Sequence, residues 1–365
     1  MGRLPRNGRR SGLYPHDADS IVKTSRVHPF GSRSRARGLT LIELMISLVL
    51  GMVLVGGVLV VFLGSRTTYS TTDNLSKMQD SARIAFTVMG REIRESTGTG
   101  CGNGSRSDNA IAKRNESILN AAQSATPAWW SVIGQGIQGY EAGVASAAVA
   151  IGTAVGERTN GTDAIQVSGA YGAGFTVDVH DNLLNKFTLN TNASGINAND
   201  ILIVCDYKQS TIFQASSVAT NKISYAAGTG SAKNCGTALG YDPANSCPTV
   251  YYQYDPLVTR MTRFGASYWY IGNGTNGRPS LYRIFLAGPP EEISPGVSDM
   301  QITYLQDGIA AYQKASDITD WGKILAVRLT LSFESQDQGV STASSGDRRI
   351  GTATTSTILL RNRTL

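Results

Sequence analysis

An α+β fold, one long N-terminal α-helix packed on a β-rich head, follows from three features of this 365-residue chain. An apolar run near the start is long enough to cross a membrane. A second stretch repeats apolar residues at helical spacing. Everything beyond it breaks into short alternating runs separated by Gly, Asn, Ser and Pro.

The apolar run comes first. Leu44 to Leu63 are 20 residues, mostly Leu, Val, Ile and Met, without a charge. At about 1.5 Å per residue they make roughly 30 Å of helix, the thickness of a bilayer core. The run is too long for the apolar part of a secretory signal peptide, and Phe62-Leu63-Gly64-Ser65 is a poor cleavage site. A plain membrane anchor fits the hydropathy but leaves Glu43, a carboxylate just inside the run, unexplained.

Helical periodicity continues past the membrane. Leu75, Met78, Ala82, Ala85, Met89 and Ile93 recur at spacings of three and four, while Lys77, Asp80, Arg83, Arg91 and Glu95 fall mostly on other faces. One helix from Leu39 to about Glu95 would measure roughly 85 Å. No proline interrupts it. Gly51, Gly56 and Gly57 are its weak points, or places for close packing against other helices in lipid.

Past Thr97 the strand candidates are Asp163–Val167, Phe175–Val179, Asp200–Cys205, Thr211–Val218, Thr249–Tyr254, Ser267–Ile271, Leu281–Leu286, Met300–Leu305, Ile324–Phe333 and Thr355–Leu360. A short helix is expected near Ser117–Gln123, within a loop-like segment rich in Ala, Gly and Ser. The clustered aromatics Trp129-Trp130, Tyr251-Tyr252-Tyr254 and Tyr268-Trp269-Tyr270 sit where core or interface residues would alternate, and less readily form an adhesive surface.

Charge is distributed unevenly. The chain carries 33 Lys and Arg against 27 Asp and Glu, a net of +6. Residues 1 to 38 hold nine of the basic and two of the acidic residues, a net of +7, leaving 24 against 25, or −1, for the rest. The basicity therefore belongs to the leading segment, where it favours a cytoplasmic N-terminus and sends the chain beyond Leu63 across the membrane. No specific nucleic-acid partner follows from the overall charge. The leading segment, rich in Arg, Ser, Gly and Pro, has no core of its own, and no methionine lies between Met1 and Met45 to mark a later start.

Four cysteines, Cys101, Cys205, Cys235 and Cys247, lie beyond the membrane run, where an oxidising compartment favours disulfides. They allow three pairings, which the sequence does not order. The Gly/Pro/Asn-rich stretch between Cys235 and Cys247 points to that pair, with Cys101–Cys205 left over. None of their spacings is a zinc or redox signature. His16, His28 and His180 are the only histidines, two of them in the leading segment. No catalytic constellation, metal set or cofactor is expected, which argues against an anchored enzyme.

Gly38-Leu39-Thr40-Leu41-Ile42-Glu43-Leu44 resembles the prepilin signal of type IV pilins and type II secretion pseudopilins. The resemblance implies that a prepilin peptidase cuts after Gly38, on the cytoplasmic side, and methylates Leu39, although that family more often has phenylalanine there. It implies an assembly role for Glu43, fifth in the processed chain, within the Thr40-bearing motif. It also implies four parts: residues 1–38, a cleaved leader; 39–63, the membrane and assembly half of the helix; 64–96, its amphipathic half; and 97–365, the head.

Further strings are similar to PilW-type minor pilins. They are Gln79-Asp80-Ser81-Ala82-Arg83 with Gly100-Cys101-Gly102, Asp200 to Asp206, Leu281-Tyr282-Arg283, Gly296 to Ile302, Trp321 to Leu329, and Leu360-Arg361-Asn362-Arg363. Membership of that group implies a low-abundance structural subunit that primes or supports pilus assembly. Its implied partners are the peptidase, the major and other minor pilins, the inner-membrane assembly platform and, as a further candidate, a tip adhesin. It would reside in the bacterial inner membrane and then in the fibre at the cell surface. The alternatives are a tip pseudopilin of a type II secretion system, which usually lacks the glutamate, and a DNA-uptake pilin, which would want a basic head. Asp307, Asp317 and Asp320 fall where relatives carry a calcium-like loop, but their spacing suits a solvated turn.

Overall fold

Helix α1 runs from Leu41 to Glu95 without a break. The computed structural model describes residues 38, 40–98, 101, 114–132, 134–192, 195–228, 233–341 and 346–363. Its two units are Met1–Val61 and Phe62–Leu365.

In the first unit, α1 is long and apolar enough to cross a membrane, and none of its most apolar stretch is buried. A Cβ added at Gly51, Gly56 or Gly57 would meet nothing within 4 Å, so no contact among the described residues calls for glycine there.

In the second unit the rest of α1 meets the head. Past the apolar run the helix surface is dense with hydroxyls. Thr67, Thr68 and Thr72 each donate to the carbonyl four residues back, at 3.0, 3.0 and 2.9 Å, a local bond that competes with water for the side chain. Contact with the head begins one turn later. The Thr71 hydroxyl donates to the Val340 carbonyl at 3.0 Å, and the Asn74 amide donates to the Asp337 carboxylate at 3.0 Å.

The buried stripe of α1 is Asn74, Met78, Ala85, Met89, Gly90 and Ile93. Leu75, expected on this stripe, is 42% exposed, and Ala82 is only half-buried. Asn74 takes the inward position because its amide and carbonyl both find partners on the 337 loop, so its burial leaves no polar atom unpaired. Met89→Ala should therefore cost about 2–5 kcal/mol, the range for emptying a packed site, while Leu75→Ala should cost under about 0.5 kcal/mol. Thermal melts of the detergent-solubilised variants measure both, and equal losses would restore Leu75 to the core.

Fourteen strands follow α1 among the described residues: β1 (Asn115–Ser117), β2 (Ile137–Tyr140), β3 (Ala164–Asp181), β4 (Lys186–Leu189), β5 (Ile201–Cys205), β6 (Ser210–Gln214), β7 (Ser217–Ala219), β8 (Lys222–Ser224), β9 (Arg260–Asn273), β10 (Pro279–Phe285), β11 (Glu291–Pro295), β12 (Val297–Gln306), β13 (Ile324–Glu334) and β14 (Gly351–Leu359). Eleven form one sheet in the order β1-β6-β5-β9-β3-β4-β8-β7, with β10 and β11 continuing from β9 and β2 pairing with β3. The other three make an antiparallel sheet in the order β12-β13-β14.

The main core lies between α1 and these sheets. Met78, Ala85, Met89 and Ile93 pack with Ile165, Val167, Trp269, Leu281, Met300, Val327, Leu329, Leu331 and Ile358. A second core around Phe187, Phe213, Tyr225, Tyr254 and Met261 closes the β4–β8 end of the larger sheet. The alternation of Val327 to Phe333 is realised in β13, with Leu329, Leu331 and Phe333 buried and Arg328 exposed.

Several expected elements differ. Asp163–Val167 and Phe175–Val179 merge into the single strand β3, and Thr211–Val218 is divided between β6 and β7. Ser117–Gln123 is not a helix: Asn115 to Ser117 pair in parallel with Ser210 to Ile212, and only a 3₁₀ turn at Asn120–Ala122 follows. Thr249–Tyr254 is not a strand. Its first three residues are all exposed, and its amides bond elsewhere: Thr249 N–H to the Asp242 carboxylate at 2.9 Å and Tyr254 N–H to His180 Nδ1 at 3.1 Å.

Candidate processing and assembly site

The chain enters α1 through Thr40. Its carbonyl accepts from Leu44 N–H at 3.1 Å, and its hydroxyl accepts from Glu43 N–H at 3.3 Å. Thr40-Leu41-Ile42-Glu43 is thus an N-cap threonine with glutamate three residues on, the spacing of a capping box. The T-x-x-E pattern is a helix-start signal legible in the sequence. Glu43 lies in the first turn, where the helix dipole favours an anion. Its carboxylate has no partner among the described residues. The Ser47 hydroxyl donates to the Glu43 carbonyl at 2.7 Å.

Gly38 precedes this cap in non-helical backbone and is exposed. A Cβ there would meet nothing within 4 Å, and its φ is not in the left-handed region. Neither space nor backbone conformation demands glycine at this position. Leu39 lies outside the described residues.

The other end of α1 is closed by the C-terminal segment. Arg361 N–H donates to the Arg94 carbonyl at 3.1 Å, and the Asn362 amide donates to the carbonyls of Glu95 and Ser96 at 3.3 and 3.1 Å. These are the carbonyls that a helix end leaves without partners. Arg363 is buried and donates to the carbonyls of Trp321, Ile324 and Gln135. Burial brings its guanidinium down to about 10. The Leu360-Arg361-Asn362-Arg363 string is therefore a clamp on the helix terminus and the start of β13.

A polar clasp fixes the last turns of α1 from the side. Glu92 accepts from Trp269 Nε1 at 2.7 Å and from Arg283 at 3.1 Å, and Arg283 also binds Glu291 at 2.8 Å. The guanidinium lies 5.7 Å from the ring centres of both Trp269 and Phe285. Removing one member of such a half-buried set strands the others, which costs more than an exposed pair is worth.

Disulfides join Cys101 to Cys205 and Cys235 to Cys247, with Cα–Cα distances of 5.8 and 6.0 Å. The first ties the segment after α1 to β5 across 104 residues, and the second closes a 12-residue loop. Loop-closure entropy alone assigns the longer one about 4–5 kcal/mol.

His180 is buried, stacked on Phe187 at 4.1 Å. Its Nδ1 accepts from Tyr254 N–H, so the proton sits on Nε2, 2.8 Å from the Tyr225 hydroxyl. Burial lowers it to about 4 from an ordinary 6.5. The folded chain then binds fewer protons at this residue than the unfolded chain between those values. Its contribution is complete above pH 6.5 and is lost as pH falls to about 4, up to about 3 kcal/mol. His180→Asn should lose less thermal stability than the native chain between pH 7 and 5. Parallel melting curves for the two would contradict this.

The aromatic clusters divide. Tyr268, Trp269, Tyr270 and Tyr254 are fully buried and Trp130 nearly so, Trp129 and Tyr252 are half-buried, and Tyr251 is exposed. Asp320 caps the 3₁₀ turn at Trp321–Lys323 by accepting from Gly322 N–H at 2.8 Å, and Asp317 ends another such turn. Among the described residues no three His, Cys, Asp or Glu side chains are placed to hold a metal ion. What the chain offers is an exposed apolar helix with a capped, acid-bearing start, and a head fastened along the helix's far half.

Residues 33–59 match the prokaryotic N-terminal methylation motif, and residues 268–362 match the type IV pilus-assembly protein W family. The first span holds Gly38, Thr40 and Glu43, and the second runs from β9 through the C-terminal clamp. Among solved structures, a type IV-like pilin from Thermus thermophilus aligns with 79% of this chain and 97% of its own, at 10% identity and a TM-score of 0.29. No curated protein sequence matches the chain.

Proposed function

We propose that this chain, a type IV pilin of the PilW type by its methylation motif and its C-terminal PilW domain, is a minor pilin that primes or supports assembly of the fibre. It is a structural subunit and not a catalyst. The observation that carries the reading is the pairing of that motif with a helix whose most apolar stretch is left unburied among the described residues.

Cleavage after Gly38 frees the Leu39 amine, whose ordinary pKa near 8 keeps it largely charged at neutral pH. Stacked through their apolar helices, neighbouring subunits bring that amine to the Glu43 carboxylate. The capping role of Thr40 supports this geometry, because it holds Glu43 in the first turn, next to the new terminus. The bare surfaces at Gly51, Gly56 and Gly57 suit close approach of other helices. The partners are the prepilin peptidase, the major and other minor pilins, and the inner-membrane platform. Before assembly the protein sits in the inner membrane with its N-terminus cytoplasmic.

A deletion strain scored for surface pili, twitching and protein secretion tests the reading. Loss of pili and twitching with secretion intact is expected. Normal pili with failed secretion would instead make the chain a pseudopilin.

A further inference from the structure

We propose that the open edge of β14 receives an extended, acid-bearing segment of another pilin subunit as an added strand. The proposal rests on the minor-pilin reading and names the surface through which the head makes its contact.

Among the described residues, several sheet edges in this head are guarded. The larger sheet ends on β1 and β7, three residues each. β11 carries Glu291, Glu292 and Pro295 and meets β10 through a register shift. The outer edge of β12 is covered. Asp163 accepts from Ile302 N–H at 2.8 Å and its own N–H donates to the Met300 carbonyl at 2.9 Å, while Tyr304 and Gln313 exchange backbone bonds at 2.8 Å. Short strands, charges, prolines and covering loops are the usual protections of an edge. Among the described residues β14 has none of them. It is nine residues, Gly-Thr-Ala-Thr-Thr-Ser-Thr-Ile-Leu, without charge or proline, and pairs with β13 over its whole length without a register shift.

The ladder fixes which amides are free. Ser335 N–H donates to the Ile350 carbonyl at 2.8 Å and Leu360 N–H to the Leu325 carbonyl at 2.9 Å. In the register of this pair, Thr352, Thr354, Ser356 and Ile358 turn their amides toward β13. Ala353, Thr355, Thr357 and Leu359 therefore direct theirs outward, a row of donors and acceptors for an incoming strand.

Charge identifies the occupant. Just past the C-terminal end of β14, Arg361 is joined to Arg94 through the Arg361 N–H bond to the Arg94 carbonyl, and Arg328 stands one strand in, opposite Thr357. All three are exposed, and none has a carboxylate partner among the described residues; Arg328 lies over the Tyr312 ring at 3.7 Å. The acid at the lower end, Glu334 opposite Gly351, is already bound by Arg278. A second copy edge to edge would set these arginines against their own kind, whereas a strand with acidic side chains would neutralise them.

Two variants of the full chain in its own bacterium test this. Ala353→Pro removes one outward amide and no bond to β13, a place where edge strands accept proline. Thr357→Glu keeps every amide, sets a carboxylate across from Arg328, and repels an acidic partner. Each is expected to lower surface pili at least tenfold while the detergent-solubilised chain keeps both disulfides and its protease resistance. A photo-crosslinking residue at Thr357 should couple to an acid-containing extended segment of another pilin, located by mass spectrometry. If Ala353→Pro fails to fold, Thr357→Glu and the crosslink decide. Native piliation with either folded variant, or crosslinks only to a second copy of this chain, overturns the inference. A normally piliated deletion strain would strike the minor-pilin reading itself, whereas piliated edge variants beside a bald deletion strain strike the edge alone.

Discussion

With valine in place of Gly38 the chain should accumulate as an uncleaved precursor, and surface pili should fall to the level of a deletion strain. The precursor would be about 4 kDa larger than the mature form, 38 of 365 residues in a chain of 38.8 kDa. The substitution isolates processing because folding does not need glycine at this place: a Cβ meets nothing and the backbone conformation is open to any residue. The consequence for assembly is electrostatic. A subunit entering a fibre must leave the bilayer, and an uncut leader with a net charge of +7 would have to follow. Moving a single Lys or Arg to the bilayer centre costs about 2.5–3.5 kcal/mol even on the mildest scale, so nine basic residues hold the precursor in place. An immunoblot of membranes and sheared pili reads both effects. A normal-sized product from the valine variant would end the processing reading.

Glu43→Val should leave cleavage intact and abolish most incorporation. The Thr40 hydroxyl still caps α1, since it accepts from the backbone N–H of residue 43 and not from its side chain. On the proposed pairing, the Leu39 amine of a neighbour would lose its anion in a water-poor bundle. Stranding one member of a buried pair costs about 3–5 kcal/mol, or roughly 200- to 5,000-fold in the equilibrium for adding the subunit. Glu43→Gln, which keeps an acceptor but no charge, should fall between. Quantifying the chain in sheared fibres against the membrane pool gives the ratio directly. Equal incorporation of all three forms would show that the glutamate serves only the monomeric helix.

The sequence disclosed α1 and β13 because each obeys one period over many residues, whereas the longer β3 and β9 show it only in short pieces. α1 joins 20 uncharged residues to a three-and-four repeat, and β13 alternates cleanly, so no tertiary information was needed to place them. Failures cluster where a distant residue supplies the partner. Asn74 displaces Leu75 from the core because a loop more than 260 positions later satisfies its amide. Thr249–Tyr254 has the composition of a strand, yet His180 and Asp242 take the amides a neighbouring strand would need. Asn115 to Ser117 become a strand through parallel pairing with β6, which no local propensity encodes. At the processing site the motif itself was legible, but the hydroxyl that orders its first turn follows from capping chemistry that the motif's family resemblance does not state. Arg363 of the C-terminal clamp gave no local sign that it binds carbonyls on two separate segments.

The two covalent bridges have an implication for biogenesis. Cys101 joins Cys205 and Cys235 joins Cys247, so each bond links thiols that are nearest in order along the chain. For a polypeptide delivered N-terminus first, an oxidant that couples sulfurs as they emerge makes both native bonds at the first attempt. Coupled in that order, the thiols would form no mispaired bond for an isomerase to reshuffle.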